Sequence, residues 1–344
     1  MTTISNGVQL STVNNNDGTK TDYWKMDKKH APYLFMIAVG DFRKIDDKWN
    51  NMPLGYYVEP EFEESAKAVF GNTPEMINYF SELLNYPFPW PQYNQVVVRD
   101  YVSGAMENTT ASIFMEDLNV SEKELLDENW DYIIAHELFH QWFGDLVTCE
   151  SWSNLPLNES FADFSEALWI GYKYGEEEGD YHAMLSLENY FEEAEEETKD
   201  LIRFYYDDKE DMFDRHSYEK GGAILQMLKT YLGDDAYFTG LNLYLKNNAF
   251  KTVEIHDLRL AFEEITGEDL NWFFNQWFLD SGHPILNVTE KYSGDTLIMN
   301  ISQVQDLEEY PLFKLPLYID LFKGEEVERY PLVLNSVDEE IKIP

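Results

Sequence analysis

The chain has one cysteine in 344 residues, Cys149, so an internal disulfide is excluded, and its Thr148-Cys149-Glu150-Ser151 surroundings hold no second sulfur at metal-ligand spacing. A small, half-buried side chain is the expectation for it. Basic residues are scarce: 25 Lys and Arg stand against 65 Asp and Glu, a net charge of -40. A phosphate backbone would be repelled and no basic stripe is visible, which excludes nucleic acid as a partner. Selection of cationic substrates by this charge is weak, because surface fields are screened within about 8 to 10 Å in ordinary salt. No apolar run approaches the roughly 18 residues of a membrane span, and residues 1–7 lack a charged-then-apolar leader pattern, so no membrane partner is expected. Met1 to Gly7 reads instead as the middle of a strand-rich region. Internal repeats are absent, whereas an aromatic content of 16% argues for a packed core, and the length suits two or three domains.

Against this background one short stretch concentrates chemistry. His136-Glu137-Leu138-Phe139-His140 is followed, after eighteen residues, by Glu159. On a helix, positions i and i+4 lie one above the other, so both imidazoles face one side and Glu137 sits beside them. Two His and one Glu form a ligand set for Zn²⁺ that leaves a fourth position open, the arrangement of a catalytic rather than a structural site. Tyr132, Ile133, Ile134, Ala135, Leu138, Phe139, Trp142 and Phe143 make this helix apolar nearly all round, hence buried. Unpaired polar and charged groups there would cost several kcal/mol, roughly, and a metal removes that penalty. Phe143 and Leu146 stand where a metzincin needs Gly and His, which excludes that class.

Three motifs in order carry a resemblance: Gly104-Ala105-Met106-Glu107-Asn108, the His136 to Glu159 set, and Tyr218-Glu219-Lys220-Gly221. With Gln141-Trp142-Phe143-Gly144 and Asn275-Gln276-Trp277, they make residues 30 to 290 similar to the M1 family of zinc aminopeptidases. Ser160 departs from the family's usual Gly after the glutamate ligand, and Pro156 from a bulky residue such as Trp, which puts local geometry in question. The resemblance implies an α+β fold: a thermolysin-like zinc metallopeptidase domain flanked by strands of an N-terminal β domain and by a C-terminal β-sandwich. The expected division is 1–57 as the last strands of a β-rich domain, 58–284 as the catalytic domain, and 285–344 as a β-sandwich that stops early. Further N- and C-terminal domains of the same protein are the expected partners.

Patterning fills in the elements. Residues 33–39 read as a strand, Asn14 to Gly18 as a turn, and Val96-Val97-Val98 as a buried strand. Helices are expected from Pro74 onward and over 127–146, 158–173, 180–199, 217–232 and 256–266, with Gly233 and Gly267 as stops. In 180–199, Met184, Leu187, Phe191 and Ala194 form an apolar stripe, and the glutamates a solvated face. Strands return at 285–288, 297–301, 315–322 and 327–334.

Roles follow from chemistry and resemblance together. Glu137, beside the metal, is the expected general base and then general acid. Tyr218, chosen among 23 tyrosines by the family motif, is the expected donor to the oxyanion. Glu107 is expected to pair with the substrate's free α-ammonium, with Gly104, Ala105, Met106 and Asn108 lining its path, so substrates are peptides with a free N-terminus. Glu166, seven residues after Glu159, is the expected carboxylate behind a ligand imidazole, with Asp163 and Asp145 as alternatives. The histidines at 30, 182, 216, 256 and 283 lack ligand spacing and read as surface or packing residues, His216 with a place near the cleft. Competing readings are an endopeptidase of the thermolysin type and a catalytically silent peptide-binding fragment. Epoxide-opening members of the family are a further variant, which Ala105 disfavours.

Overall fold

The computed structural model describes residues 1–127, 129–324 and 326–344. Strands dominate the first part: β1 (Thr2–Ser5), β2 (Val8–Asn14), β3 (Lys20–Lys25), β4 (Ile37–Gly40), β5 (Arg43–Trp49) and β6 (Met52–Val58). Then come α1 (Ala66–Phe70), α2 (Thr73–Leu83), β7 (Tyr93–Val97), β8 (Ala105–Met106), β9 (Ala111–Phe114), α3 (Asp131–Phe139), β10 (Val147–Cys149), α4 (Pro156–Tyr174) and α5 (Glu176–Ala194). The chain continues through α6 (Gly221–Leu232), α7 (Asp234–Asn248), β11 (Lys251–Val253), α8 (Ile255–Thr266) and α9 (Asn271–Phe278), and closes with β12 (Leu286–Ser293), β13 (Thr296–Gln303), β14 (Leu315–Lys323), β15 (Glu326–Leu334) and β16 (Asp338–Ile343). Most strands lie in the first and last parts and most helices between them, with β7 to β11 interleaved among the helices, an α+β arrangement.

The central sheet has the order β5-β6-β7-β9-β8, with β6, β7 and β9 mutually parallel and the outer strands antiparallel to their neighbours. β7 is buried along its whole length, as a strand covered on both faces must be. β5 and β6 join through a two-residue turn in which Asn50 takes φ 51°, the left-handed conformation that tight hairpins require. Residues before and after position 58 therefore share one sheet. Strands β12-β13-β16 and β14-β15 form two antiparallel sheets, and Ile301, Phe313, Leu315 and Leu334 from this region pack into the same hydrophobic core as α3. Among the described residues no helix is long and apolar enough to cross a membrane.

Several elements differ from the sequence patterning, each for a local reason. The 127–146 helix is cut to α3, because Gly144 adopts φ 128° and the chain turns into β10, which pairs in parallel with β11. A Cβ at Gly144 would fall 3.1 Å from His140 Nδ1, so the turn is tight against a histidine ring. α4 begins at Pro156, whose fixed φ suits a first helical turn. Residues 33–39 split into a 3-10 turn over Pro32–Leu34 and β4. The apolar stripe of α5 does not face the core: Met184 and Phe191 are exposed, and the buried positions are Gly179 and Tyr190. Cys149 is fully rather than half buried. α7, α9 and β16 had no counterpart in the patterning.

α3 is anchored at its start by Asp131, whose Oδ2 accepts bonds from Asn72 Nδ2 (2.9 Å), Trp169 Nε1 (3.0 Å) and Tyr174 Oη (2.7 Å). A carboxylate there also complements the positive end of the helix dipole. Ile134, Ala135, Leu138 and Phe139 then fix the helix in the core, at roughly 1.5 to 3 kcal/mol for each large side chain buried.

Candidate metal centre

α3 presents His136 and His140 one turn apart, and α4 brings Glu159 opposite them. His136 Nδ1 lies 2.8 Å from Glu166 Oε1, and His140 Nδ1 lies 2.9 Å from the Phe143 carbonyl. A carboxylate and a carbonyl only accept, so each Nδ1 carries a proton and each Nε2 is the ring nitrogen left to coordinate a metal. Those two Nε2 atoms sit 3.6 Å and 3.2 Å from Glu159 Oε2. Tetrahedral zinc with bonds of 2.0 to 2.1 Å separates its ligand atoms by about 3.3 Å, so the donor set fits that ion.

The charge balance points the same way. Glu107, Glu137, Glu159 and Glu166 surround the two rings, the first three of them buried. Burial opposes charging of His140, yet Glu107 and Glu159 push its pKa up to about 9. Burial likewise acts to raise Glu159, but the two imidazoles win and hold it down at about 2. A divalent cation satisfies the same carboxylates. Glu137 is buried, its Oε2 has no hydrogen-bond partner among the described residues, and desolvation raises its pKa to about 8. Asp163 takes the Ser186 hydroxyl at 3.3 Å and Asp145 makes no bond to either imidazole, so Glu166 alone of the three acids meets a ring of this set.

The loop over residues 104–108 is fastened from two sides. Gln141, one residue past His140, donates to the Glu107 carbonyl and accepts from the Thr110 amide, each at 3.0 Å. From the N-terminal segment, the Leu34 carbonyl takes Asn108 Nδ2 at 3.2 Å, and Asn6 Nδ2 bridges the Leu34 and Thr109 carbonyls at 2.9 and 2.7 Å. Glu107 and Asn108 are buried, whereas Gly104, Ala105 and Met106 are half-buried, the last two forming edge strand β8 with one side unpaired in the sheet. Glu107 Oε1 faces Tyr33 Oη at 3.4 Å, and that hydroxyl accepts from Asn158 Nδ2 at 2.9 Å. Tyr33 was not singled out from sequence, since it stands in an apolar run with no spacing to mark it.

Tyr218 arrives on a π-helical turn, His216–Lys220, a form that recurs at functional sites. Its ring lies parallel to that of His136, 6.0 Å away, and burial together with Glu159, Glu107 and Glu137 keeps the phenol protonated. The family departures are absorbed locally: Ser160 Oγ donates to the Ser217 carbonyl at 2.7 Å, tying α4 to this turn. His216 is fully buried, not at the cleft, with Nδ1 2.7 Å from Glu193. Glu193, Asp214 and His216 bring three donors together, but Arg203 and Lys199 stand 3.0 and 3.5 Å from Asp214 Oδ2 and already supply the cations. His182, read from sequence as a surface or packing residue, donates to Glu166 Oε2 at 2.8 Å.

Next to Tyr218, the ammonium of Lys220 is buried without a hydrogen-bond partner among the described residues, and desolvation lowers its pKa from 10.5 to about 8. Between these two values the unfolded chain binds the extra proton, so stability rises with pH across that window. Lys220→Met removes the penalty and is expected to stabilise the chain at pH 7 by up to about 3 kcal/mol, an advantage that disappears above pH 10.5. Urea midpoints at pH 7 and near the top of the window measure it; equal stability of both chains at pH 7 contradicts it.

A profile of the peptidase family M1 domain matches residues 69–277. The chain belongs to peptidase family M1. Aminopeptidase N of Streptomyces lividans is 30% identical over 309 residues, covering 85% of this chain and 36% of that protein. Glutamyl aminopeptidase of Homo sapiens is 30% identical over 271 residues, 75% of this chain and 28% of that one. Among solved structures, Legionella pneumophila aminopeptidase A in complex with aspartic acid superimposes with a TM-score of 0.82 at 22% identity, over 99% of this chain and 40% of that one, a likeness of fold. The M1 chain described here thus spans two-fifths or less of the length of these relatives.

Proposed function

We propose that this M1 chain is the catalytic part of a zinc-dependent aminopeptidase that removes N-terminal residues from peptides. The observation that carries the reading is the convergence of His136 Nε2, His140 Nε2 and Glu159 Oε2 at tetrahedral spacing, with the buried Glu107 close enough to act on the same charges. One zinc per chain would be held by those three residues and would supply the Lewis acidity to polarise a carbonyl and acidify water to a pKa of about 7.

The chain's own residues do the rest. Glu137 accepts a proton from the attacking water on its unpaired Oε2 and delivers it to the departing amine. Tyr218 Oη donates toward the oxygen on which negative charge develops. Glu107 meets the substrate's α-ammonium; a blocked terminus would leave this buried carboxylate uncompensated, which selects for free N-termini. Gly104, Ala105, Met106 and Asn108 line the approach, with β8 offering an open strand edge to an extended peptide.

Metal analysis with an aminoacyl chromogenic assay, chelation and zinc add-back tests the reading. The expected result is one zinc per chain, activity lost on chelation and restored by zinc, and no cleavage of N-acetylated peptides. Cleavage of acetylated peptides would make it an endopeptidase of the thermolysin type, and zinc with peptide binding but no turnover a silent binding fragment.

A further inference from the structure

We propose that His182 is a positioning residue of the metal centre, locking Glu166 so that His136 keeps its coordinating nitrogen free. The inference rests on the zinc aminopeptidase reading above. Glu166 is held at both ends: Oε1 accepts from His136 Nδ1 and Oε2 from His182 Nε2, each at 2.8 Å. With both oxygens bonded, the carboxylate cannot rotate without breaking two charge-assisted hydrogen bonds. With one partner gone, Glu166 is free to turn toward the groove lined by Asp163, Ser186 and Glu219, where water competes for it. His136 would then lose the acceptor that fixes its tautomer and ring plane.

The fold brings these three side chains together by a close helix contact. A Cβ at Gly179 would meet the Ala167 carbonyl oxygen and Gly171 Cα, both at 2.8 Å, so α5 rests on α4 nearly backbone to backbone. That contact sets residue 182, one turn further on, over Glu166. His182 keeps a partly exposed edge, with its ring 5.8 Å from that of Tyr132, so the chain from α3 through α4 to α5 ends in the solvent-facing groove that Tyr218 also lines.

Two variants of similar bulk separate a donor from a filler: His182→Gln retains an N–H, and His182→Phe retains only a ring. Zinc dissociation constants are read by competition with a chromophoric chelator, and the His136 Nδ1 proton by NMR of the zinc-loaded protein. His182→Phe is expected to weaken zinc roughly 5- to 10-fold, toward the lower range known for outer-sphere partners, and to broaden the His136 Nδ1 proton signal. His182→Gln should stay near the wild type in both. Equal dissociation constants for the Phe variant and the wild type, or equal losses in both variants, overturn the inference. A wild-type chain that binds no zinc overturns the aminopeptidase reading and this inference with it.

Discussion

Glu137→Gln is expected to leave one zinc per chain in place while peptide turnover falls by about 10²- to 10⁴-fold, the usual contribution of a positioned proton acceptor. The amide matches the carboxylate in shape, so α3 and the ligands on either side of position 137 keep their geometry, but its oxygen is too weak a base to take a proton from water. Nor should the fold suffer. In the native chain this carboxylate is buried with an oxygen that bonds to nothing among the described residues, and burial already pushes its pKa up to about 8. A side chain held neutral near pH 7 by burial is replaced by another neutral one of the same shape, so the thermal midpoint should hold. Zinc content, kcat and unfolding measured on one preparation decide the matter; turnover within tenfold of the wild type removes Glu137 from the proton path.

Tyr218→Phe should lower kcat by about 10²- to 10³-fold, some 3 to 4 kcal/mol, with KM changed little, because the hydroxyl is asked to act only when charge builds on the carbonyl oxygen. The phenylalanine ring retains the parallel packing against His136, so the change isolates one O–H group. Burial first, then the carboxylates of Glu159, Glu107 and Glu137, raise the phenol's pKa far above its ordinary value. The hydroxyl therefore remains a neutral donor through the working range, and the ratio of wild-type to variant kcat should be flat from about pH 6 to 9. A ratio that collapses as pH rises, or a defect confined to KM, is incompatible with that role.

How far these residues could be foreseen depends on how local their logic is. The spacing of His136, His140 and Glu159 is dictated by one helix face and one helix crossing, and both are legible in a string of letters. The same holds for the segregation of strands and helices. What the patterning misses is set by partners distant in sequence. α3 stops at Phe139 because β10 must reach β11 more than a hundred residues on, which no window around position 140 can reveal. The α5 stripe has a helical period, but the face that meets α4 is Gly179, His182 and Ser186 against Gly171, Glu166 and Asp163, so Met184 and Phe191 stay outside. Tyr33 and His182 lie 74 and 16 residues from the acids they touch, and neither carries a local signature.

The stitching of Asn6 and Leu34 to the loop bearing Glu107 has an implication for how such a protein can be cut or recombined. On the proposed function, recognition of a peptide's end and the leading strands of the chain are mechanically one object. A graft that swapped everything ahead of residue 43 would, on that reading, also retune the grip on the amino group of a substrate, although His136, His140 and Glu159 had not been exchanged.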